Sequence, residues 1–148
     1  MTAEQVALPQ ESQRAGIGSV HDLLRAQAAR FATNDLFVLP ADVQALWSLD
    51  RASWSYAETL AEVEALAARY RAAGYGAGHR VALLLENRPA HFFHWLALNS
   101  LGASVVPVNP DYTSDELRYL LEHSESCLLV HLPARAAQAR EGAAGLAV

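Results

Sequence analysis

The 148-residue sequence contains no lysine, so all eleven of its basic residues are arginine. Its single cysteine, Cys127, excludes a disulfide within the chain, and a reducing, cytoplasmic setting is expected. The formal net charge is −5 and no basic stripe is present, which makes nucleic acid a poor candidate as a partner. No apolar run approaches the ~20 residues that a membrane-spanning helix needs, and the N-terminus lacks the pattern of a signal peptide.

The composition that remains is that of one packed domain. Hydrophobic residues make up 52% of the chain and charged residues 18%, a balance that can build a core and is too apolar for a disordered chain. Residues 1–18 are small, polar and interrupted by Pro9 and Gly16. They predict a flexible leader ahead of the folded part.

Helices are predicted from capping patterns and apolar spacing. Ser55 with Glu58, and Thr113 with Glu116, form S/T-x-x-E capping boxes, and Asp115 and Glu116 also favour a helix N-terminus through its dipole. The helix that Ser55 opens ends at Gly74, and the helix that Thr113 opens has Leu117, Leu120 and Leu121 inside. The first of these is predicted to bury one face, made of Tyr56, Leu60, Val63, Ala67 and Tyr70. Further helices are predicted over Val20–Phe31 (with Leu23, Leu24 and Ala28 on one face), Pro89–Leu101 and 134–148.

Strands are predicted between these helices, over Leu36–Leu39, Val81–Leu85, a run from Val105, and Cys127–Val130. A second extended piece is expected over Ala45–Tyr56, with a turn near Asp50. Strands that alternate with helices are typical of a parallel α/β sheet. The predicted fold is therefore α/β, a partial parallel-sheet three-layer αβα unit.

Three segments in register resemble the opening of the adenylate-forming enzymes, specifically the acyl-CoA synthetase (AMP-dependent ligase) family. Residues 54–60, Trp-Ser-Tyr-Ala-Glu-Thr-Leu, are similar to that family's W-[ST]-Y-x-E-L motif. Residues 78–82, Gly-His-Arg-Val-Ala, and the Asn-Arg-Pro at 87–89 are similar to its G-D-R-V-A and N-x-P. Residues 101–110, Leu-Gly-Ala-Ser-Val-Val-Pro-Val-Asn-Pro, match L-G-A-x-x-V-P-x-N-P. The resemblance implies that residues 19–148 are an incomplete N-terminal subdomain, the opening portion of the large N-terminal domain of such a ligase.

The sequence departs from the family pattern at four places. His79 stands where relatives usually carry aspartate, and Thr59-Leu60 shifts the expected leucine by one residue. The connection over Pro40–Ser53 is longer than usual. Asp111 follows Asn109-Pro110, where some relatives carry a basic residue near coenzyme A, so a coenzyme A contact is not expected there.

The resemblance implies a two-step reaction with ATP, Mg²⁺ and coenzyme A as cofactors of a full-length parent. A carboxylate forms an acyl-adenylate, and a thiol then displaces AMP. The family's phosphate loop and late lysine are absent from these 148 residues, and arginine does not reproduce a lysine ammonium at an oxyanion. The glycines of Gly74–Gly78 follow a helix and precede a strand, the wrong order for a phosphate cradle. The chain alone is therefore predicted to hold no catalytic, cofactor-binding or metal residues.

Other side chains that carry chemistry give weaker signals. His91 and His94 lie three apart on one predicted helix, but a metal site needs further ligands, and packing at the helix edge is favoured. His79 fits a solvated turn, and Cys127 fits a small core residue better than a reactive thiol. Ser104 and Ser126 lack a nucleophile motif, and the face with Tyr56 and Tyr70 fits a core.

Two functions remain open from the sequence. The first is an N-terminal fragment of a carboxylate–CoA ligase, with the remainder of the ligase chain as its partner. The second is a non-catalytic binding or interaction module that kept the scaffold. If the chain is a truncated piece, the open sheet edge and an uncovered apolar helix face predict self-association. The residues that shape an acyl pocket lie later in such enzymes, so the sequence does not identify the acid.

Overall fold

The computed structural model describes residues 18–148, so the predicted leader lies outside the described residues except for Gly18. Within this part the helices are α1 (Val20–Arg30), α2 (Ala41–Trp47), α3 (Tyr56–Ala72), α4 (Pro89–Ser100), α5 (Ser114–His123) and α6 (Ala136–Gly142), with a short 3₁₀ turn over Pro133–Arg135. The strands are β1 (Asp35–Val38), β2 (Ser53–Ser55), β3 (Arg80–Leu84), β4 (Ser104–Pro107) and β5 (Leu128–His131). No helix of residues 18–148 is both long and apolar enough to cross a membrane.

Three strands form the parallel sheet that the sequence predicts, in the order β4-β3-β5. Val81 of β3 lies opposite Val105 of β4 on one side and Leu128 of β5 on the other. Each connection between these strands contains a helix, as parallel strands require. The prediction of an α/β fold with a parallel sheet is confirmed.

The first predicted strand does not join this sheet, and here the prediction was wrong. Strand β1 pairs with β2, antiparallel, in a separate two-stranded sheet. The expected extended piece over Ala45–Tyr56 was also wrong over its first residues, which belong to α2. Pro40 supplies the N-cap and Asp42 lies in the first turn, where a negative charge favours the helix; Ser48, with φ 51°, ends it.

The parallel sheet has helices on both faces. Val81, Leu83 and Leu85 pack into one core with helices α1, α3 and α4. Ala82 and Leu84 point to the other face and pack with Leu117 and Leu121 of α5. Alternate residues of a strand point to opposite faces, so β3 contributes to both cores. The three-layer αβα arrangement follows the prediction.

The helix faces differ in detail from their predicted patterns. Both capping boxes are formed, and the Glu58 carboxylate accepts the Ser55 amide hydrogen at 2.8 Å. In α3 the deeply buried residues are Thr59, Val63, Ala67 and Tyr70, whereas Tyr56 and Leu60 are half-buried. The buried stripe therefore starts at Thr59, and Tyr56 and Leu60 pack at the edge of the same core. In α1, Leu24 and Ala28 are buried, but Leu23 is 42% exposed.

Helix α6 occupies only part of the predicted segment 134–148. It packs against α5 through Gly142, the last residue of the helix. An added Cβ at Gly142 would lie 2.7 Å from Cγ of Leu117. The close approach of the two helices therefore depends on this glycine.

Candidate functional site

A cleft of about 450 Å³ opens where β3 and β4 end. Its lining residues come from α2, from the turn after β3, from α4 and from the end of β4: Trp47, Glu86, Asn87, His91, Pro107, Val108, Asn109 and Pro110. In open parallel sheets, ligands bind at this carboxyl edge of the strands. The cleft is therefore the first candidate for a functional site in the described residues.

Glu86 is the most constrained residue of the cleft. Its backbone has φ 58°, an uncommon value for a residue with a side chain. Its carboxylate accepts from Arg88 Nε at 2.9 Å and from Arg135 Nη2 at 3.1 Å. Desolvation acts to raise the pKa of Glu86, but the two arginines outweigh it and hold the pKa below its usual range. A carboxylate with both oxygens occupied by cations is a fixed anion and a poor general base.

Arg88 extends this charge cluster to α2. Its Nη1 donates to the Trp47 carbonyl at 3.1 Å, and its guanidinium lies 5.4 Å from the centroid of the Trp47 ring. Through Glu86, the same cluster reaches Arg135 in the 3₁₀ turn after β5. The cluster thus fastens three separate connections around the carboxyl edge of the sheet.

The polar groups that remain for a ligand are neutral. Burial lowers the pKa of His91, so its ring is neutral at pH 7. Asn87 and Asn109 also line the cleft, and the Asn109 side-chain oxygen accepts the Asp111 amide hydrogen at 3.0 Å. Such groups can orient a ligand by hydrogen bonds, but they provide neither a nucleophile nor a cation for a developing negative charge.

The two histidines of α4 are separated by the structure. His91 lies at the cleft, whereas the ring of His94 packs against α3, with its Nδ1 2.6 Å from the Tyr70 hydroxyl oxygen. Burial lowers the pKa of His94 to about 4 and raises that of Tyr70 to about 12. Both groups are therefore neutral at pH 7. Among residues 18–148, no three His, Cys, Asp or Glu side chains lie close enough together to hold a metal ion.

The glycine-rich turn lies at the opposite end of the sheet from the cleft. Gly74, with φ 86°, follows the end of α3, and Gly78, with φ 87°, precedes β3. This confirms the prediction of a helix stop and turn. His79 completes the turn: it is half-buried, and its Nδ1 lies 3.2 Å from both the Gly76 amide nitrogen and its carbonyl oxygen.

The candidate nucleophiles are held by other contacts. The Ser126 hydroxyl is buried and lies 2.7 Å from the Ser124 hydroxyl. Cys127 lies one residue before β5 and donates its thiol hydrogen to the Arg80 carbonyl at 3.3 Å. It is only partly buried, so the core position predicted for it was wrong. Ser104 is the exposed first residue of β4.

The described residues fit the cofactors of the family poorly. The glycine turn is at the wrong end of the sheet for phosphates, and the chain has no lysine. Asp111 is exposed just after Asn109-Pro110, where its carboxylate would oppose the phosphates of coenzyme A. No catalytic step is therefore derived through ATP, Mg²⁺ or coenzyme A on these residues.

Sequence reasoning missed the cluster of Glu86, Arg88 and Arg135. One signal was available, because Glu86 follows a buried strand directly and Arg88 is two residues further on. The third member could not be predicted from the sequence, because Arg135 is 49 residues away from Glu86 along the chain.

Comparison with known proteins agrees with the resemblance found in the sequence. The model of the family described as AMP-binding enzyme matches residues 25–147. Crotonobetaine/carnitine–CoA ligase of Shigella flexneri serotype 5b (strain 8401) is 36% identical over 77 residues, which is 52% of this chain and 15% of that ligase. The chain thus matches only a small part of the length of this curated relative.

Solved structures share the fold. A fatty acyl CoA synthetase of Mycobacterium tuberculosis superposes with a TM-score of 0.74 at 24% identity, over 87% of this chain and 24% of that one. A benzoate CoA ligase of Burkholderia xenovorans LB400 gives 0.76 at 17% identity, over 88% and 25%.

Proposed function

Since this chain belongs to the family of AMP-binding enzymes, we propose that it is the N-terminal scaffold of an ATP-dependent carboxylate–CoA ligase and does not catalyse the reaction alone. In the full reaction a carboxylate oxygen would attack the α-phosphate of ATP, forming an acyl-adenylate and releasing pyrophosphate. The thiol of coenzyme A, losing its proton, would then attack the acyl carbon, forming a thioester and releasing AMP. Residues 19–148 would form an incomplete subdomain of the ligase. The remainder of the ligase chain would be its partner.

The roles of the motif residues carry this proposal. Trp54 is buried and packs edge-on against Phe93 of α4, with ring centroids 5.8 Å apart. Ser55 caps α3, and Gly102, with φ 72°, makes the turn that leads into β4. Trp54, Ser55 and Gly102 thus serve packing, capping and turn formation, whereas Asn87 and Asn109, also in motif segments, line the cleft without supplying a nucleophile or a cation. This supports a scaffolding role.

The lack of free cationic side chains at the cleft supports the proposal that the chain does not catalyse the reaction alone. Attack of a carboxylate on the α-phosphate of ATP builds negative charge that fixed donors or cations must stabilise. At the carboxyl edge of the sheet, Arg88 and Arg135 both bind Glu86, which ties up both guanidinium groups and leaves the three side chains with a single net positive charge. The chain has no lysine to add. A ligase would have to obtain these groups from other parts of its chain.

Carboxylate-dependent exchange of radioactive pyrophosphate into ATP tests the proposal. The names of the relatives suggest crotonobetaine, a fatty acid and benzoate as acids to assay. We expect no exchange above background from residues 1–148, and exchange from a longer ligase chain that contains them. Clear exchange from the 148-residue chain would refute the claim that it is inactive alone. A serine-, threonine- and glycine-rich loop ending in lysine, encoded downstream of codon 148, would support a ligase parent.

A binding module is the second candidate, and the neutral polar side chains of the cleft that are not part of the Glu86 cluster favour it. His91, Asn87 and Asn109 can hold a small ligand without chemistry. Titration calorimetry with the same acids and with ATP separates the two candidates. Saturable binding by the isolated chain that is lost on His91→Leu, with no exchange activity, would favour the module.

A further inference from the structure

Helix α2 forms one wall of the cleft at the carboxyl edge of the sheet without belonging to either core. Trp47, the last residue of the helix, lines the cleft. None of the residues Ala41–Trp47 is buried. Leu39 and Leu49, just outside the two ends of the helix, pack against the core that contains α3 and α4. The segment is therefore anchored at its two flanks, whereas the helix between them is not held by packing in a core.

The bonds that hold α2 in shape lie within this segment. The Gln44 side-chain amide donates to the Leu39 carbonyl at 2.9 Å, and the Leu49 amide donates to the Gln44 carbonyl at 3.0 Å. Ser48, with φ 51° and ψ 49°, turns the chain at the end of the helix. Residues at the ends of an element commonly absorb the dihedral changes of a hinge. The helix can thus swing on residues 39–40 and 48–49 with its internal bonds intact.

The contact that joins α2 to the start of α4 is made by Arg88. Its Nη1 donates to the Trp47 carbonyl at 3.1 Å, and its guanidinium lies 5.4 Å from the centroid of the Trp47 ring. Glu86 orients the same guanidinium by accepting from Nε at 2.9 Å. A hydrogen bond and a cation–π contact both act over a short range. They are therefore lost together when Trp47 moves away, so that the contact is either engaged or released.

We propose that α2 is a lid on the cleft, that Arg88 is its latch, and that Glu86 positions the latch. While Arg88 holds Trp47, one side of the cleft is closed. When the contact is released, α2 swings outward, a ligand enters past Trp47, and closure of the lid then excludes water from the cleft. The inference rests on the cleft being the site of either proposed function. Its test needs no ligand, so a failure of the lid and a failure of the function are distinguishable.

Hydrogen–deuterium exchange of the 148-residue chain, at labelling times from milliseconds to minutes, tests the latch. Arg88→Met keeps a long side chain and removes both contacts with Trp47. The amides of residues 44–49 should then exchange roughly tenfold faster, because a hydrogen bond from a charged donor is lost. The amides of β3 should not change, which shows that the variant is folded. Arg135→Met is the matched control, because it removes the other arginine from the Glu86 carboxylate and should leave α2 unchanged.

Alkylation by iodoacetamide tests whether movement of α2 opens the cleft. Cys127 is the only cysteine, so His91→Cys in a Cys127→Ser background places a single thiol at a half-buried position of the cleft. The rate constant of the thiolate, taken from the pH dependence, is independent of any change in the thiol pKa. Adding Arg88→Met should raise this constant several-fold. In a Ser104→Cys, Cys127→Ser chain the thiol is at the exposed start of β4, and Arg88→Met should not change its rate constant.

Three results would overturn the lid. The first is unchanged exchange of the α2 amides in Arg88→Met, and the second is an equal acceleration in Arg135→Met. The third is faster exchange of α2 with unchanged alkylation at position 91, because α2 would then move without opening the cleft.

Discussion

Replacement of Gly142 by alanine tests how α6 covers the sheet. The added Cβ would lie 2.7 Å from Cγ and Cδ2 of Leu117 and 3.1 Å from its Cβ. Carbon atoms pack favourably only beyond ~3.5 Å, so Leu117 or α6 would have to move by roughly 1 Å. Leu117 is fully buried, in one core with Ala82, Leu84 and Leu121. Its side chain therefore has little space into which it can move.

Two opposing effects set the size of the loss. Overpacking of a core costs about 1–3 kcal/mol, and alanine is favoured over glycine in a helix by up to about 1 kcal/mol. The helix gain is small here, because Gly142 is the last residue of α6. We expect Gly142→Ala to lower the free energy of unfolding by about 1–2 kcal/mol, measured by urea denaturation followed by circular dichroism.

Two controls make this measurement decisive. At Gly76 an added Cβ would be 3.6 Å from the Leu101 carbonyl oxygen, an ordinary contact, so Gly76→Ala should have little effect. In a Leu117→Ala background the two 2.7 Å contacts are removed and only the 3.1 Å contact with the Cβ at position 117 remains, so Gly142→Ala should cost clearly less than in the unmodified chain. Equal losses in the two backgrounds, or no loss in either, would refute the packing argument.

Three further predictions concern single side chains. Thr113→Ala removes the N-cap of α5 and should cost about 1 kcal/mol in urea denaturation, whereas Thr113→Ser should retain most of the stability. Leu83→Ala empties a fully buried site in β3 and should cost about 2–5 kcal/mol by the same assay. Burial lowers the pKa of His94 from 6.5 to about 4, so the unfolded chain takes up a proton below pH 6.5 that the folded chain does not. The stability due to neutral His94 is therefore fully present above pH 6.5 and lost as the pH falls towards 4. Allowing for partial solvent exposure, this loss should be roughly 1–2 kcal/mol. It should be smaller in His94→Gln, whose amide oxygen can still accept from the Tyr70 hydroxyl, and an unchanged pH profile in that variant would contradict the assignment.

The sequence predicts those parts of the fold that local contacts determine. The capping boxes at Ser55 and Thr113 involve residues three apart, and both are formed. The run Val81–Leu85 is apolar because both faces of β3 are covered. The pairing of β1 with β2 was not predicted, because the sequence of a strand does not determine which other strand it pairs with.

The candidate site was less predictable, since it depends on contacts between distant segments. Glu86 obtains its partners from the start of α4 and from the 3₁₀ turn after β5. Trp47 reaches the cleft from α2, in a segment expected to be extended. A functional motif can be recognised in a sequence when its residues are neighbours in the chain. The residues that form this cleft come from separate segments.

Strand β3 has a consequence for how the chain folds. It supplies residues to both cores, and its neighbours β4 and β5 are reached only through helical connections. Neither core can therefore be completed before β3 is in place, and we expect the nucleus of folding to include contacts of that strand. For the same reason, the two faces should melt together rather than as separate cooperative units.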